Sequence, residues 1–285
     1  MAQMYQLVHL GSIGEATTDF WRHAALGWCS VKQSIPMHLS YEFVLLSLAA
    51  WLVGLSKGGL PTIGMLAVPL LSLMMPPMQA AVLLLPIYIL SDMVGIYLYR
   101  KAFSAAHLRI LIPAGLVGIG VGWATASRIS DAALAMLVGL IGIGFCLNSW
   151  LRASPNSVTR QPHKAWGRFW GALSGFTSFI SHAGGPPFQV YMLPQKLPKL
   201  VFAGTSTLFF AVVNAAKLVP YQFIRPDTSD SLSKAAWLVP AALLGTVMGA
   251  WLTKRLADAW FFRLVQIGLF GVSLKLVWSA LPGLL

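Results

Sequence analysis

Between residues 41 and 281 the chain is a series of apolar runs of 18 or more residues, each long enough to cross a hydrocarbon core of about 30 Å. Lipid offers no partner to a backbone N–H or C=O, so runs of this length must fold as helices. Hydrophobic residues make up 57% of the chain and charged residues only 10%, against about 25% charged in a soluble domain. The fold class is therefore an all-α polytopic membrane protein. A net charge of +12, from 20 Lys+Arg against 8 Asp+Glu, would suggest nucleic acid on a soluble surface. Here the basic residues gather in the short loops between apolar runs, as the positive-inside rule requires, so no nucleic-acid partner is expected. The two cysteines, Cys29 and Cys146, imply no disulfide framework.

The first apolar run, from Tyr41 to Met75, is broken at Gly54-Leu55-Ser56-Lys57-Gly58-Gly59-Leu60-Pro61. A backbone leaves the helix at membrane depth only where protein or a water-filled cavity takes up its polar groups, so the break faces inward. A second broken run, 169–197, carries Gly175-Phe176-Thr177-Ser178 and His182-Ala183-Gly184-Gly185-Pro186-Pro187. Three spans follow each break, at about 79–99, 108–127 and 132–150, and at about 200–222, 235–253 and 259–281. The expected organisation is an N-terminal extension (1–38), a first membrane repeat (39–150), a cytoplasmic linker (151–168) and a second repeat (169–285). Residues 1–36 lack the basic-then-apolar pattern of a signal peptide and suggest an interfacial helix around Phe20 to Trp28.

The halves match at positions that shared greasiness would not produce. Lys57, Gly59, Pro61 and Pro69 precede His182, Gly184, Pro186 and Pro194 by one constant offset. Pro76, Asp92 and Tyr99 likewise precede Pro198, Asn214 and Tyr221, and Pro113, Gly118, Gly122, Arg128 and Asp131 precede Pro240, Gly245, Gly249, Arg255 and Asp258. The offset changes only at loops. Basic residues at the linker and around Arg100, Lys101 and Arg109 are placed inside, as are Lys196, Lys199, Lys254 and Arg255, so the two repeats point opposite ways. Inverted repeats with interrupted helices in corresponding places are the sequence pattern of a secondary transporter with a midplane site. Whether each broken run is re-entrant or crosses twice stays open.

Gly54-Leu55-Ser56-Lys57-Gly58-Gly59 with Gly64-Met65-Leu66-Ala67-Val68-Pro69, the Gly175 and His182 motifs, Gly204-Thr205, Asn214 and Lys217-Leu218-Val219-Pro220-Tyr221 resemble the sulfite exporter TauE/SafE family over roughly residues 40–281. The resemblance implies a duplicated permease of the cytoplasmic membrane that moves sulfur-containing or carboxylate-bearing organic anions such as sulfite or sulfonates.

The residues themselves outline an anion site. Lys57 with Gly58 and Gly59 sets a cation beside bare amides at the start of a helical piece, where anions are favoured. His182 with Gly184 and Gly185 is the counterpart, able to donate to an anion or to bond a freed carbonyl. Ser56, Thr177, Ser178 and Ser181 offer hydroxyls to substrate or to the broken backbone. Asn214, near the centre of its span, is a further ligand candidate. Asp92 is the acidic residue deepest in a predicted span and is the coupling candidate, since an intramembrane carboxylate is costly. Straight spans put Lys217 about 14 Å from Asp92 in height at 1.5 Å per residue, so Lys217 is expected to snorkel outward. No catalytic residue, metal ligand set or cofactor motif is found, and no enzyme is expected. The partners are a small anionic substrate and the bilayer; the oligomeric state is not encoded legibly. The reading is a secondary transporter, with a channel-like pore or a non-transporting membrane protein as alternatives.

Overall fold

The computed structural model describes residues 41–61, 63–71, 74–75, 77–125, 130–151, 163–224 and 229–283. The N-terminal extension and most of the linker lie outside the described residues. Ten α-helices occur among the described residues: α1 (Tyr41–Lys57), α2 (Ala67–Leu71), α3 (Pro77–Tyr99), α4 (Ala105–Thr125), α5 (Asp131–Leu151), α6 (Lys164–Ser181), α7 (Gly185–Met192), α8 (Lys199–Ile224), α9 (Ser229–Arg255) and α10 (Asp258–Ala280). No strand occurs among the described residues, and this is an all-α polytopic membrane protein. Among the described residues five helices are long and apolar enough to cross a membrane, α3, α4, α8, α9 and α10, while α5 carries a shorter apolar stretch, Ala135–Leu151. The helix α6 opens at Lys164, inside the segment expected as linker, with His163 Nδ1 accepting the Trp166 N–H as its N-cap.

Each broken run is a long helix followed by a short one. Lys57 closes α1, Gly59 turns at φ +117°, and a 3-10 turn at Ile63–Leu66 leads into α2. Glycine alone takes that angle freely. At the second break His182 caps α6 in the left-handed region at φ 53°, its N–H bonded to the Ser178 carbonyl and the Ala183 N–H to that of Thr177. The His182 bond is that of an αL ending, with a histidine where glycine is usual. The chain then folds back against α6 through α7 and a 3-10 turn at Leu193–Gln195.

Small residues set how the helices meet. A methyl on Gly54 would fall 2.0 Å from the Ala242 carbonyl oxygen, and one on Gly118 would fall 2.0 Å from that of Ala172. Gly249 faces Leu55 and Gly58, while Gly122 faces Phe179, so α1 runs parallel to α9 and α4 parallel to α6. In contrast, Asp92 meets Asn214 while Gly95 meets Thr207 and Tyr99 meets Gly204, so α3 and α8 are antiparallel. The helices α5 and α10 are antiparallel too, Gly139 lying by Ser273 and Cys146 by Gln266. Helix approach through such stripes replaces the hydrophobic drive that lipid cannot supply.

The outer faces are apolar, as at Val117, Leu140, Val247 and Ile267, and exposed tryptophans such as Trp123, Trp166, Trp260 and Trp278 sit toward the helix ends. Those are the faces and belts that lipid and its interface select. Polar residues instead collect inside. Close packing of α4 on α6 yields a paired prediction. Gly118→Ala forces its methyl into backbone and lowers the melting temperature in detergent, by roughly 1–3 kcal/mol of stability. Gly120→Ala, at a position with open space around it, leaves melting unchanged or raises it. Equal melting of both variants would show that the α4–α6 contact is not limiting.

Candidate substrate site

Both breaks open onto one cavity of about 40 Å³, room for about two or three waters. From the first break come Ser56, Lys57, Pro61, Gly64 and Met65, and from the second Ser178, His182 and Gly185. The helices α3 and α8 complete the wall with Tyr88, and with Ser206, Thr207, Phe210 and Asn214. This arrangement follows from the crossing of α3 and α8, which sets both long helices beside both breaks.

A chain of charged and amide groups runs along one side. The Lys57 Nζ lies 2.8 Å from Asp92 Oδ1, with the two side chains 6% and 3% exposed. Asn214 Nδ2 donates to Asp92 Oδ2 at 2.8 Å, and Lys217 Nζ donates to Asn214 Oδ1 at 3.2 Å and to Ser178 Oγ at 2.7 Å. A carboxylate only accepts and an ammonium only donates, so the amide of Asn214 fits between them in one orientation. The Lys57 ammonium also stands 5.1 Å from the Tyr88 ring centre and 5.6 Å from that of Phe210, the geometry of a cation–π contact. Two lysines thus face one carboxylate, which formally leaves one positive charge for another partner.

Aromatic groups hold the second break. His182 stacks on Tyr88 at 5.1 Å with the rings 12° apart. Tyr88 donates to the Gly64 carbonyl at 2.9 Å, and Tyr221 donates to the Phe179 carbonyl at 2.7 Å with its oxygen 3.4 Å from His182 Nε2. The Phe179 carbonyl would have served the next turn of α6, so a tyrosine does what the histidine was an alternative candidate to do.

Of the residues expected at the site, Ser56, Lys57, Ser178, His182, Gly185 and Asn214 meet at the cavity wall. Asp92 stands behind Lys57 as its counterion. Gly58, Gly59, Thr177 and Gly184 are not on the wall. Gly58 and Gly59 lie against α9 and Tyr99, where a side chain would clash. Thr177 Oγ1 donates back to the Leu173 carbonyl at 2.9 Å, and the Gly184 carbonyl accepts from Ser174 Oγ at 2.7 Å. Ser56 likewise donates to the Val53 carbonyl at 2.7 Å while lining the cavity.

Lys217 requires a correction. It is fully buried rather than snorkelled. The height estimate treated side chains as points, but a helical side chain leans toward the N-terminus of its helix, which brings the long lysine back to Asn214. Tyr88, Phe210 and the Ser206-Thr207 pair were not singled out from the sequence. A pair of hydroxyls next to Gly204-Thr205 in an apolar span was the available signal for the last two, and the Thr207 hydroxyl donates to the Lys57 carbonyl at 3.2 Å.

The geometry offers charge recognition at a helix break inside a bundle of membrane helices, and comparison with known proteins points the same way. Residues 46–276 match the family model for sulfite exporter TauE/SafE. No curated protein and no solved structure matches the chain. Because the match runs from the first helix into the last, taking in both breaks and the Lys57–Asp92–Asn214–Lys217 chain, the protein belongs to the sulfite exporter TauE/SafE family, a family of membrane transporters.

Proposed function

We propose that the protein is a secondary transporter for small sulfur-containing or organic anions such as sulfite or sulfonates. It works by alternating access at a site between the two broken helices. One observation carries the reading: two buried lysines and a single carboxylate beside a cavity of about 40 Å³. A buried charge without a partner is costly, so a site built with one positive charge in excess favours an anion, and the cavity size favours one of few atoms. The substrate takes the Lys57 ammonium, with Ser178 and His182 on the facing wall.

In this reading the halves are inverted repeats in the cytoplasmic membrane. The antiparallel registers of α3 with α8 and of α5 with α10 support it, since each joins a helix to its own counterpart. A site on the pseudo-twofold between interrupted helices suits rocking of one half against the other. Lys57 holds either Asp92 or the substrate fully, and a proton delivered to Asp92 releases the lysine to the anion. Asp92 is thereby the coupling group.

Counterflow in reconstituted vesicles tests the site with a panel of sulfite, thiosulfate, sulfonates and carboxylates. Wild-type flux is expected to saturate, and Lys57→Ala to raise the half-saturating concentration of the transported anion at least tenfold, equivalent to about 1.4 kcal/mol. Unchanged flux and saturation in Lys57→Ala would sink the assignment. For coupling, wild-type flux is expected to respond to an imposed proton gradient. Asp92→Asn keeps the amide-sized shape but cannot exchange a proton, and its flux is expected to lose that response. A gradient response of the same size in both proteins would end the coupling role.

A further inference from the structure

Gln189 lies on α7, one turn beyond Gly185, and is fully buried. Neither its Nε2 nor its Oε1 has a hydrogen-bond partner. A primary amide with both ends unmatched is an expensive thing to bury, so such a group calls for a ligand. Its surroundings place it directly behind the cavity wall. A methyl on Gly185, itself a wall residue, would lie 3.8 Å from Gln189 Nε2 and 2.5 Å from Met65 Sδ. The thioether of Met65 therefore fills the space over Gly185, beside the amide. Methionine is unbranched and adaptable, a cover that moves without rebuilding backbone.

The internal duplication provides a separate argument. The offset that relates Lys57 to His182 and Pro61 to Pro186 relates Gly64 to Gln189. Gly64 is on the cavity wall now. When two inverted halves exchange conformations in transport, Gln189 takes the position that Gly64 holds in the described state. We infer that Gln189 is a second substrate ligand, covered by Met65 in this conformation, whose amide N–H groups bind an oxyanion in the opposite-facing state. Its Oε1 then accepts from a water carried with the ion. The inference rests on the transporter reading and adds a site residue to it.

The test uses the full chain in proteoliposomes with sulfite, thiosulfate and methanesulfonate as counterflow probes. Gln189→Leu is nearly the same size and removes the unmatched polar atoms, so it is expected to melt in detergent at or above the wild-type temperature. Its maximal flux is nevertheless expected to fall at least tenfold. Gln189→Glu, which sets a negative group where the anion must sit, is expected to fall further while still folding, and Gln189→Asn to keep part of the flux. Wild-type flux in Gln189→Leu, with Lys57→Ala impaired, would overturn the role of Gln189 and leave the central site standing. Unimpaired flux in both variants, or no wild-type flux of any of the three probes, would overturn both.

Discussion

A helix that stops inside a bilayer leaves carbonyls that must find donors from the protein, and this constraint shapes the centre of the molecule. Among the described residues five such carbonyls flank the two breaks and each receives a hydroxyl. Tyr99 and Thr253 serve Gly58, Thr207 serves Lys57, Tyr88 serves Gly64, Tyr221 serves Phe179 and Ser174 serves Gly184. Two of these donors, Thr207 and Thr253, come from the opposite half of the chain. The first break is thus completed by the second half of the chain, the second break by donors of its own half, and the cavity between them is lined from both. Tyr99 and Tyr221, matched in sequence, both spend their hydroxyls on a carbonyl at the end of a broken helix.

The same junction makes the buried charges tolerable. Removing water from an ion pair costs several kcal/mol per ion, and the loss is recovered only with good geometry and further hydrogen bonds. Asp92 has both: Lys57 on one oxygen and Asn214 on the other. Lys217 donates hydrogen bonds to neutral groups, and among the described residues it has no carboxylate of its own. The polarity of the site thus differs from one break to the other, with the ion pair on the first and a lysine held by a serine and an amide on the second.

Much of this was legible because the signals were discrete. Apolar run lengths located the membrane helices. Matched prolines and glycines pointed to a duplication, and a lysine between glycines deep in an apolar run marked the first break. Less was legible where the answer depended on side-chain reach. Gly58, Gly59, Thr177 and Gly184 belong to the motifs but face neighbouring helices or their own backbone, because a motif names a chain segment and not its inner face. Lys217 was misplaced because its height was taken from its Cα, although its side chain runs back along α8. Tyr88 and Phe210 resemble any aromatic in a span until α1 sets an ammonium before their rings.

The sequence correspondence between the halves also bears on why the second lysine stands on α8 and not on α3. By the offset that pairs Asp92 with Asn214 and Tyr99 with Tyr221, the counterpart of Lys217 is Gly95. Any side chain there would meet Thr207 Cγ2 at 2.6 Å and the carbonyl oxygen of Lys57 at 3.0 Å. Placing Lys57 on α1 brings its own backbone against α3 and closes position 95 to everything but glycine. At the second break His182 stacks on Tyr88 and the space before Ser178 is left for an ammonium. One break having taken its cation on the broken helix, the other takes it on the crossing helix. The two breaks thereby flank one cavity without carrying a cation in the same place.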